Sequence, residues 1–200
     1  MPIHLFQLLL ILSTCFSSIQ EKSVFAPELP LTIQIIPVGK VETQTINLIR
    51  ENIQRTFSAQ IEVSPTLSTE SIEFARSKSR FGYTGIKILS HFKSKNPQRK
   101  IILILDKPVY TRRELNGKIY PEWKILGLAH GNACLVVPIG NKARLDKVVV
   151  HELGHTMNLK HCENPQCLMT DAKGNAKNID KARFNFCQKC SQKINRHLQI

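Results

Sequence analysis

The sequence lacks an apolar run long enough to cross a membrane as a helix. Its best candidate spans residues 3–19 and is unbroken only over 8–12, well short of the roughly 20 apolar residues that a membrane-spanning helix needs. Glycine (9) and proline (10) follow no period, and no internal repeat is visible, which excludes collagen-like and Pro-rich chains. With 42% hydrophobic and 22% charged residues among 200, the composition predicts one globular domain of ordinary size.

Acidic side chains are also scarce. The chain has 15 Asp and Glu against 28 Lys and Arg, which gives a formal net charge of +13. Such a charge favours anionic partners or surfaces. The basic residues are scattered, however, and the aromatic residues, 6% of the chain, are not interleaved with them as stacking on single-stranded nucleic acid requires. We therefore expect a solvated basic surface and no nucleic-acid partner.

The first 20 residues contain no Lys, Arg, Asp or Glu. Their apolar run, followed by small residues, is typical of a secretory leader, although the basic residues that usually precede such a run are missing. Cys15 follows Leu12-Ser13-Thr14 and resembles a lipoprotein acylation site, so membrane attachment through a lipidated Cys15 is one option. We expect a leader at 1–20, a single domain at 21–200 and an exported protein. A core strand or a frayed tail, in a cytoplasmic protein, is the alternative.

Strands and helices alternate in the first half of the sequence, and short strands cluster in the second. Apolar residues recur every three or four positions at 46–57, which predicts a helix with one buried face. The unbroken apolar run at 101–105 predicts a strand buried on both faces, and the charged segment 107–122 is interpreted as a loop. This order predicts an α+β fold with a mixed sheet. The expected strands lie at 31–35, 60–64, 101–105, 123–129 and 133–137, and the expected helices at 42–57, 86–92, 146–159 and 188–198.

The segment His151-Glu152-Leu153-Gly154-His155 is an H-E-x-x-H motif. Histidines at positions i and i+4 share one face of a helix and can bind one zinc ion, while the glutamate can reach a metal-bound water as general base. His161 follows six residues later and can supply a third ligand after the helix ends. Three histidines with an open fourth position are typical of catalytic zinc. The alternative is an exposed helix whose histidines bind no metal.

Four cysteines near the end of the chain form two closely spaced pairs. The spacings are C-x4-C and C-x2-C, which favour a tetrahedral zinc site with four thiolate ligands. Two disulfides, or a redox role for the C-x2-C pair, are the alternatives. Cys134 is expected to be a small core residue. The paired cysteines are Cys162, Cys167, Cys187 and Cys190.

Residues 151–190 read H-E-L-G-H-x-x-N-x-x-H-C-x4-C-x-M-x17-C-x-x-C. This pattern resembles the archaemetzincin family of metzincin-clan zinc metalloproteases. The resemblance implies a metzincin-like α+β fold with a mixed, mainly parallel sheet, an antiparallel edge strand and an active-site helix. It also implies a small C-terminal part, 161–200, built on a four-cysteine zinc site.

The resemblance implies a role for each residue of the motif. His151, His155 and His161 would bind a catalytic zinc, and Glu152 would act as general base and acid. Met169 would lie beneath the catalytic zinc. A peptide or protein substrate would pair with an edge strand, for which 132–137 is the nearest candidate, and a monomer is favoured. The second, structural zinc would be held by Cys162, Cys167, Cys187 and Cys190.

One position departs from the family pattern. Asn158 stands where metzincins have a glycine that ends the helix in the left-handed conformation. Asn tolerates that conformation better than other residues with a side chain, so we expect the turn to be kept. The predicted function is zinc-dependent hydrolysis of peptide bonds, through a zinc-bound water and a glutamate general base. The alternatives are a catalytically silent zinc-binding relative and a basic, zinc-ribbon-like module that binds nucleic acid.

Overall fold

The computed structural model describes residues 31–96, 98–138 and 141–198, with side chains of the last helix described to 195. The expected leader and Cys15 therefore lie outside the described residues. No helix within the described ranges is long and apolar enough to span a membrane. The strands are β1 (Thr32–Val38), β2 (Gln60–Val63), β3 (Tyr83–Thr84), β4 (Arg99–Leu105), β5 (Val109–Leu115), β6 (Lys118–Ile125), β7 (Gly127–His130) and β8 (Ala133–Val136). The α-helices are α1 (Thr43–Thr56), α2 (Gly85–Phe92), α3 (Lys142–Thr156), α4 (Ala176–Lys181) and α5 (Gln188–Leu198), and a 3-10 helix covers Thr69–Ala75.

The main sheet has five strands in the order β2-β1-β4-β8-β7. The first four are parallel, and β7 pairs with β8 in the antiparallel direction. This arrangement confirms the predicted mixed, mainly parallel sheet with an antiparallel edge strand. β4 lies at the centre, which explains why its apolar run is unbroken: both of its faces are covered.

Each face of the sheet has its own hydrophobic core. Ile102 and Ile104 point to the side covered by α1 and α3, whereas Leu103 and Leu105 point to the side covered by α2 and the 3-10 helix. This alternation follows from the two-residue period of a strand. Helix α3, which carries the H-E-x-x-H motif, is thus held against the sheet by a continuous apolar face, which includes Val149 and Leu153.

The interpretation of 107–122 as a loop is wrong. This segment forms most of a hairpin, β5 and β6, which joins β3 in a second sheet of three strands. The hairpin turns at Asn116-Gly117, where both residues have positive φ, 51° and 72°. Asn-Gly between two strands is a strong hairpin signal, but the exposed charged residues on both strands conceal the alternation.

Two further boundaries differ from the sequence-based expectations. Helix α3 begins at Lys142, four residues before the predicted start, because the Asn141 side chain accepts a hydrogen bond from the Arg144 N–H at 3.1 Å and caps the helix. The expected strand 123–129 is divided between β6 and β7. The short helix α4 was not expected.

The expected substrate-binding edge strand is also corrected. Residues 132–137 contain β8, which lies between β4 and β7 and has strands on both sides. The edge strand is β7, the preceding strand. Position along the chain cannot distinguish these two strands, because the antiparallel return that places β7 outside β8 depends on tertiary packing.

Candidate functional site

Helix α3 presents His151 and His155 on one face, as the four-residue spacing predicts. Their Nε2 atoms lie only 3.1 Å apart. The Nδ1 atom of His151 lies 2.8 Å from the Leu168 carbonyl oxygen, and that of His155 lies 2.7 Å from the Leu159 carbonyl oxygen. A carbonyl oxygen can only accept, so both Nδ1 atoms carry hydrogen and donate.

This tautomer leaves a lone pair on each Nε2, and the two lone pairs face each other at hydrogen-bond distance. Neutral imidazoles cannot form a hydrogen bond there, whereas both lone pairs can bind one cation. Burial lowers the pKa of His151 to about 4, which disfavours a proton at neutral pH. Tetrahedral zinc with Zn–N bonds of about 2.0–2.1 Å would hold its nitrogens about 3.3 Å apart. The two histidines therefore fit a zinc ion.

His161 is brought to the same place by the turn after α3. Asn158 has φ 60°, and the Leu159 N–H donates to the Gly154 carbonyl oxygen at 3.1 Å. The predicted left-handed conformation is thus confirmed, and the chain turns back toward the helix. The His161 ring lies 5.4 Å from that of His151 and 4.8 Å from that of His155, centroid to centroid. One nitrogen from each histidine lies within 4.8 Å of the other two.

Asp171 lies beside this group, with Oδ2 3.8 Å from Nδ1 of His161. At this distance the two groups lie close together but form no direct hydrogen bond. The sequence contains no signal for this residue, since an isolated Asp in a polar segment has no distinctive spacing.

Glu152 points from α3 toward the edge strand and is buried. Burial raises the pKa of its carboxyl group to about 8. Gly127 of β7 lies directly against it: a Cβ atom on Gly127 would lie 2.6 Å from both Cγ and Oε1 of Glu152. The sequence did not identify Gly127, because its role depends on the contact between β7 and α3.

The four paired cysteines form a second cluster, with all four Sγ atoms within 4.8 Å of one another. The Sγ atoms of Cys162 and Cys187 lie 3.8 Å apart. A disulfide requires about 2.05 Å, whereas tetrahedral zinc with Zn–S bonds of about 2.3 Å separates its sulfurs by about 3.8 Å. The geometry therefore favours the zinc site over the two disulfides. Cys134 is fully buried in β8 and belongs to neither cluster.

Met169 connects the two clusters. Its carbonyl oxygen accepts a hydrogen bond from the Cys162 N–H at 2.8 Å, and its fully buried side chain packs beneath α3 at Gly154. The residue thus packs against α3 next to His155, and its main chain is joined to the cysteine cluster.

The histidines and Glu152 open into a cleft of about 600 Å³. One side is formed by β7 and by the β5–β6 hairpin, and the other by residues 170–182. Trp123 of β6 approaches this second side closely, because a Cβ atom on Gly174 would lie 3.3 Å from its Cζ2 atom. A cleft with an edge strand along one side suits an extended chain.

Comparison with known proteins points to the same family that the motif resembles. The sequence model of Peptidase family M54 matches residues 142–196. The archaemetzincin of Halobacterium salinarum is 22% identical over 183 residues, covering 82% of this chain and 99% of the relative. That of Sulfolobus acidocaldarius is 45% identical over 49 residues, covering 24% and 27%.

Two solved structures share the fold. The crystal structure of archaemetzincin from Methanopyrus kandleri has a TM-score of 0.68 at 20% identity, over 88% of this chain and 100% of that one. That from Archaeoglobus fulgidus has a TM-score of 0.65 at 23% identity, over 81% and 99%.

Proposed function

Because this chain belongs to the archaemetzincin family of zinc metallopeptidases, we propose that it hydrolyses peptide bonds with Glu152 as general base and with two bound zinc ions. The observation that carries this proposal is the pair of Nε2 atoms of His151 and His155, 3.1 Å apart with both lone pairs directed at one point. Two lone pairs that converge in this way can bind one cation, which supports the assignment of these histidines as zinc ligands.

The proposed ligands divide into two sets. His151, His155 and His161 would hold the catalytic ion and leave its remaining position to solvent or substrate. When bound there, zinc would polarise the scissile carbonyl and lower the pKa of its water ligand. The structural ion would be held by Cys162, Cys167, Cys187 and Cys190.

Glu152 is positioned to move the proton. It follows His151 directly on α3, and its carboxylate lines the cleft. We assign it the transfer of the proton from the attacking water to the leaving amine, as base and then as acid. A zinc ion bound beside it would lower the raised pKa of its carboxyl group and favour the ionised form that accepts the proton. The contact with Gly127 restricts the space available to this carboxyl group.

The edge strand β7 supplies a binding surface for the main chain of the substrate. It lines the cleft, and among the described strands it pairs with β8 alone. An extended peptide can add to its other side through main-chain hydrogen bonds, which provide affinity with little dependence on sequence.

The test combines zinc content with hydrolysis of fluorogenic peptides. We expect two zinc ions in the wild type, two in Glu152→Ala, and one each in His151→Ala and Cys187→Ala. Glu152→Ala should lose hydrolysis by a factor of about 10³ or more, since a positioned general base contributes about 10²–10⁴.

Two results would contradict the proposal in different ways. Unchanged turnover in Glu152→Ala would exclude the role of the carboxylate. A wild type that binds two zinc ions and hydrolyses no peptide would indicate the catalytically silent relative.

A further inference from the structure

The β5–β6 hairpin presents an arginine to the cleft. Arg113 pairs with Tyr120 across the hairpin, next to Trp123. It is half-buried, and its guanidinium carbon lies 5.6 Å from the ring centroid of Trp123. A guanidinium stacked on a ring uses its face and leaves its N–H edges for an acceptor. Arg113 is therefore held in place with hydrogen-bond donors to spare.

A lysine reaches the cleft from the active-site helix. Lys147 lies one turn before His151 and hence on the same face of α3, and it lines the cleft with Arg113. Its ammonium group donates to the carbonyl oxygens of Ile179 and Asp180 at 3.2 and 2.8 Å. These bonds fix the ammonium group, and an ammonium has a third N–H to donate.

Neither cation has a carboxylate partner within 4.0 Å among the described residues. The nearby carboxylates contact other side chains: that of Asp180 is paired with Arg144 at 2.6 Å, and that of Asp171 lies 3.8 Å from His161. Glu152 is confined against Gly127. Arg113 thus has no ion-pair partner among the described residues, and Lys147 has only the more distant charge of Asp180, which is already paired with Arg144. The other cations of the cleft lining, Arg112 and Lys124, increase the same positive field.

We propose that the cleft selects substrates that carry a carboxylate group near the scissile bond, recognised by Arg113 and Lys147. This inference rests on the proposed peptidase function and names its substrate class as acidic peptides. The carboxylate can belong to a Glu or Asp side chain or to the C-terminus of the peptide. The net charge of +13 acts in the same direction by attracting acidic chains to the protein.

The experiment uses the zinc-loaded protein and matched quenched peptides. The peptides of the first set are amidated at the C-terminus and form pairs. The two members of a pair differ only in having Glu or Gln at one position, and each pair tests a different position around the scissile bond. A second set has no acidic side chain and a free or an amidated C-terminus. At one position of one set, we expect kcat/KM to be about tenfold higher for the charged peptide than for its neutral counterpart, because charge-assisted hydrogen bonds are stronger than neutral ones. This charged-to-neutral ratio of kcat/KM should fall with added salt.

The variants locate the recognition. In Arg113→Gln and in Lys147→Gln the charged-to-neutral ratio should fall below about threefold. Lys118→Gln is the matched control, because it removes one positive charge from the same hairpin outside the cleft lining. It should keep the ratio of the wild type. Two results would overturn the inference. One is a charged-to-neutral ratio below about two for every peptide pair in the wild type, and the other is a fall of the ratio in Lys118→Gln as large as in the two cleft variants.

Binding separates this inference from the catalytic proposal. Fluorescence anisotropy of the same peptides with zinc-loaded Glu152→Gln measures recognition without turnover. A preference for the charged peptide that depends on Arg113 supports carboxylate recognition even if the wild type hydrolyses nothing. Equal binding of the charged and neutral peptides overturns it even if the wild type is an active peptidase.

Discussion

A methyl group on Gly154 would lie 2.6 Å from the Sδ atom of Met169. The middle of the H-E-x-x-H helix thus rests directly on the methionine that follows the cysteine pair. Met169 is fully buried and cannot move into solvent to make room. The small residue at 154 allows the helix and the turn beneath it to approach closely, and both ligand histidines lie on that helix.

Gly154→Ala should therefore destabilise the protein. Helix propensity alone favours Ala over Gly by about 1 kcal/mol, but overpacking a rigid core costs about 1–3 kcal/mol, and the contact distance makes the second effect the larger. Urea unfolding of the zinc-loaded protein measures the change. Met169→Ala should cost less stability in the Gly154→Ala background than alone, because it relieves the contact. A more stable Gly154→Ala variant would show that the packing is looser than described.

Gly127→Ala should reduce catalysis without removing zinc. The added Cβ would lie 2.6 Å from Oε1 of Glu152 and 2.8 Å from Cγ1 of Val148, so the carboxylate must move. A displacement of about 1 Å in a catalytic group can cost about 10²-fold in rate. Peptide turnover and zinc content together provide the measurement. Ile119→Ala is the control, because its side chain is exposed on the β5–β6 hairpin and lies outside the cleft lining, and it should retain the turnover of the wild type.

Asn158→Gly should retain both zinc ions and full activity. The residue is exposed with φ 60°, so glycine adopts the same turn without strain. Asn158→Val should lose about 1–2 kcal/mol of stability, because a β-branched side chain is strained in the left-handed region. It should also weaken zinc binding, since the turn positions His161. Titration against a competing chelator measures the affinity, and equal affinity in the two variants would contradict this account of the turn.

Removing metal should expose the paired cysteines and leave Cys134 protected. Cys134 is fully buried in β8, and burial raises the pKa of its thiol well above the usual value. The thiols of Cys162 and Cys187 are only partly buried and should be shielded mainly by their metal. Alkylation mapped by mass spectrometry, with and without a chelator, compares them. Rapid alkylation of Cys134 before chelation would show that the core of the sheet opens readily.

The sequence by itself determined which side chains form the two clusters. A four-residue spacing on a helix, two short cysteine spacings and a left-handed turn are local properties, so the histidine cluster, the cysteine cluster and the conformation of Asn158 could be predicted from them. The burial of β4 could also be predicted, because its unbroken apolar run is typical of a strand covered on both faces of the sheet. The helices with one apolar face were predictable for a similar reason.

Only the tertiary structure decided which strand lies at the edge and what surrounds the histidines. β7 and β8 are both short strands of similar composition, so their sequences do not distinguish them. The antiparallel return of the chain, which packs against α3, places β7 at the edge of the sheet. Gly127, Asp171, Arg113 and Lys147 carry no signal in the sequence, because each acts on a residue that is remote in the chain or across the cleft. The hairpin escaped prediction because its strands are largely exposed, and a strand without a buried face leaves no apolar period to detect.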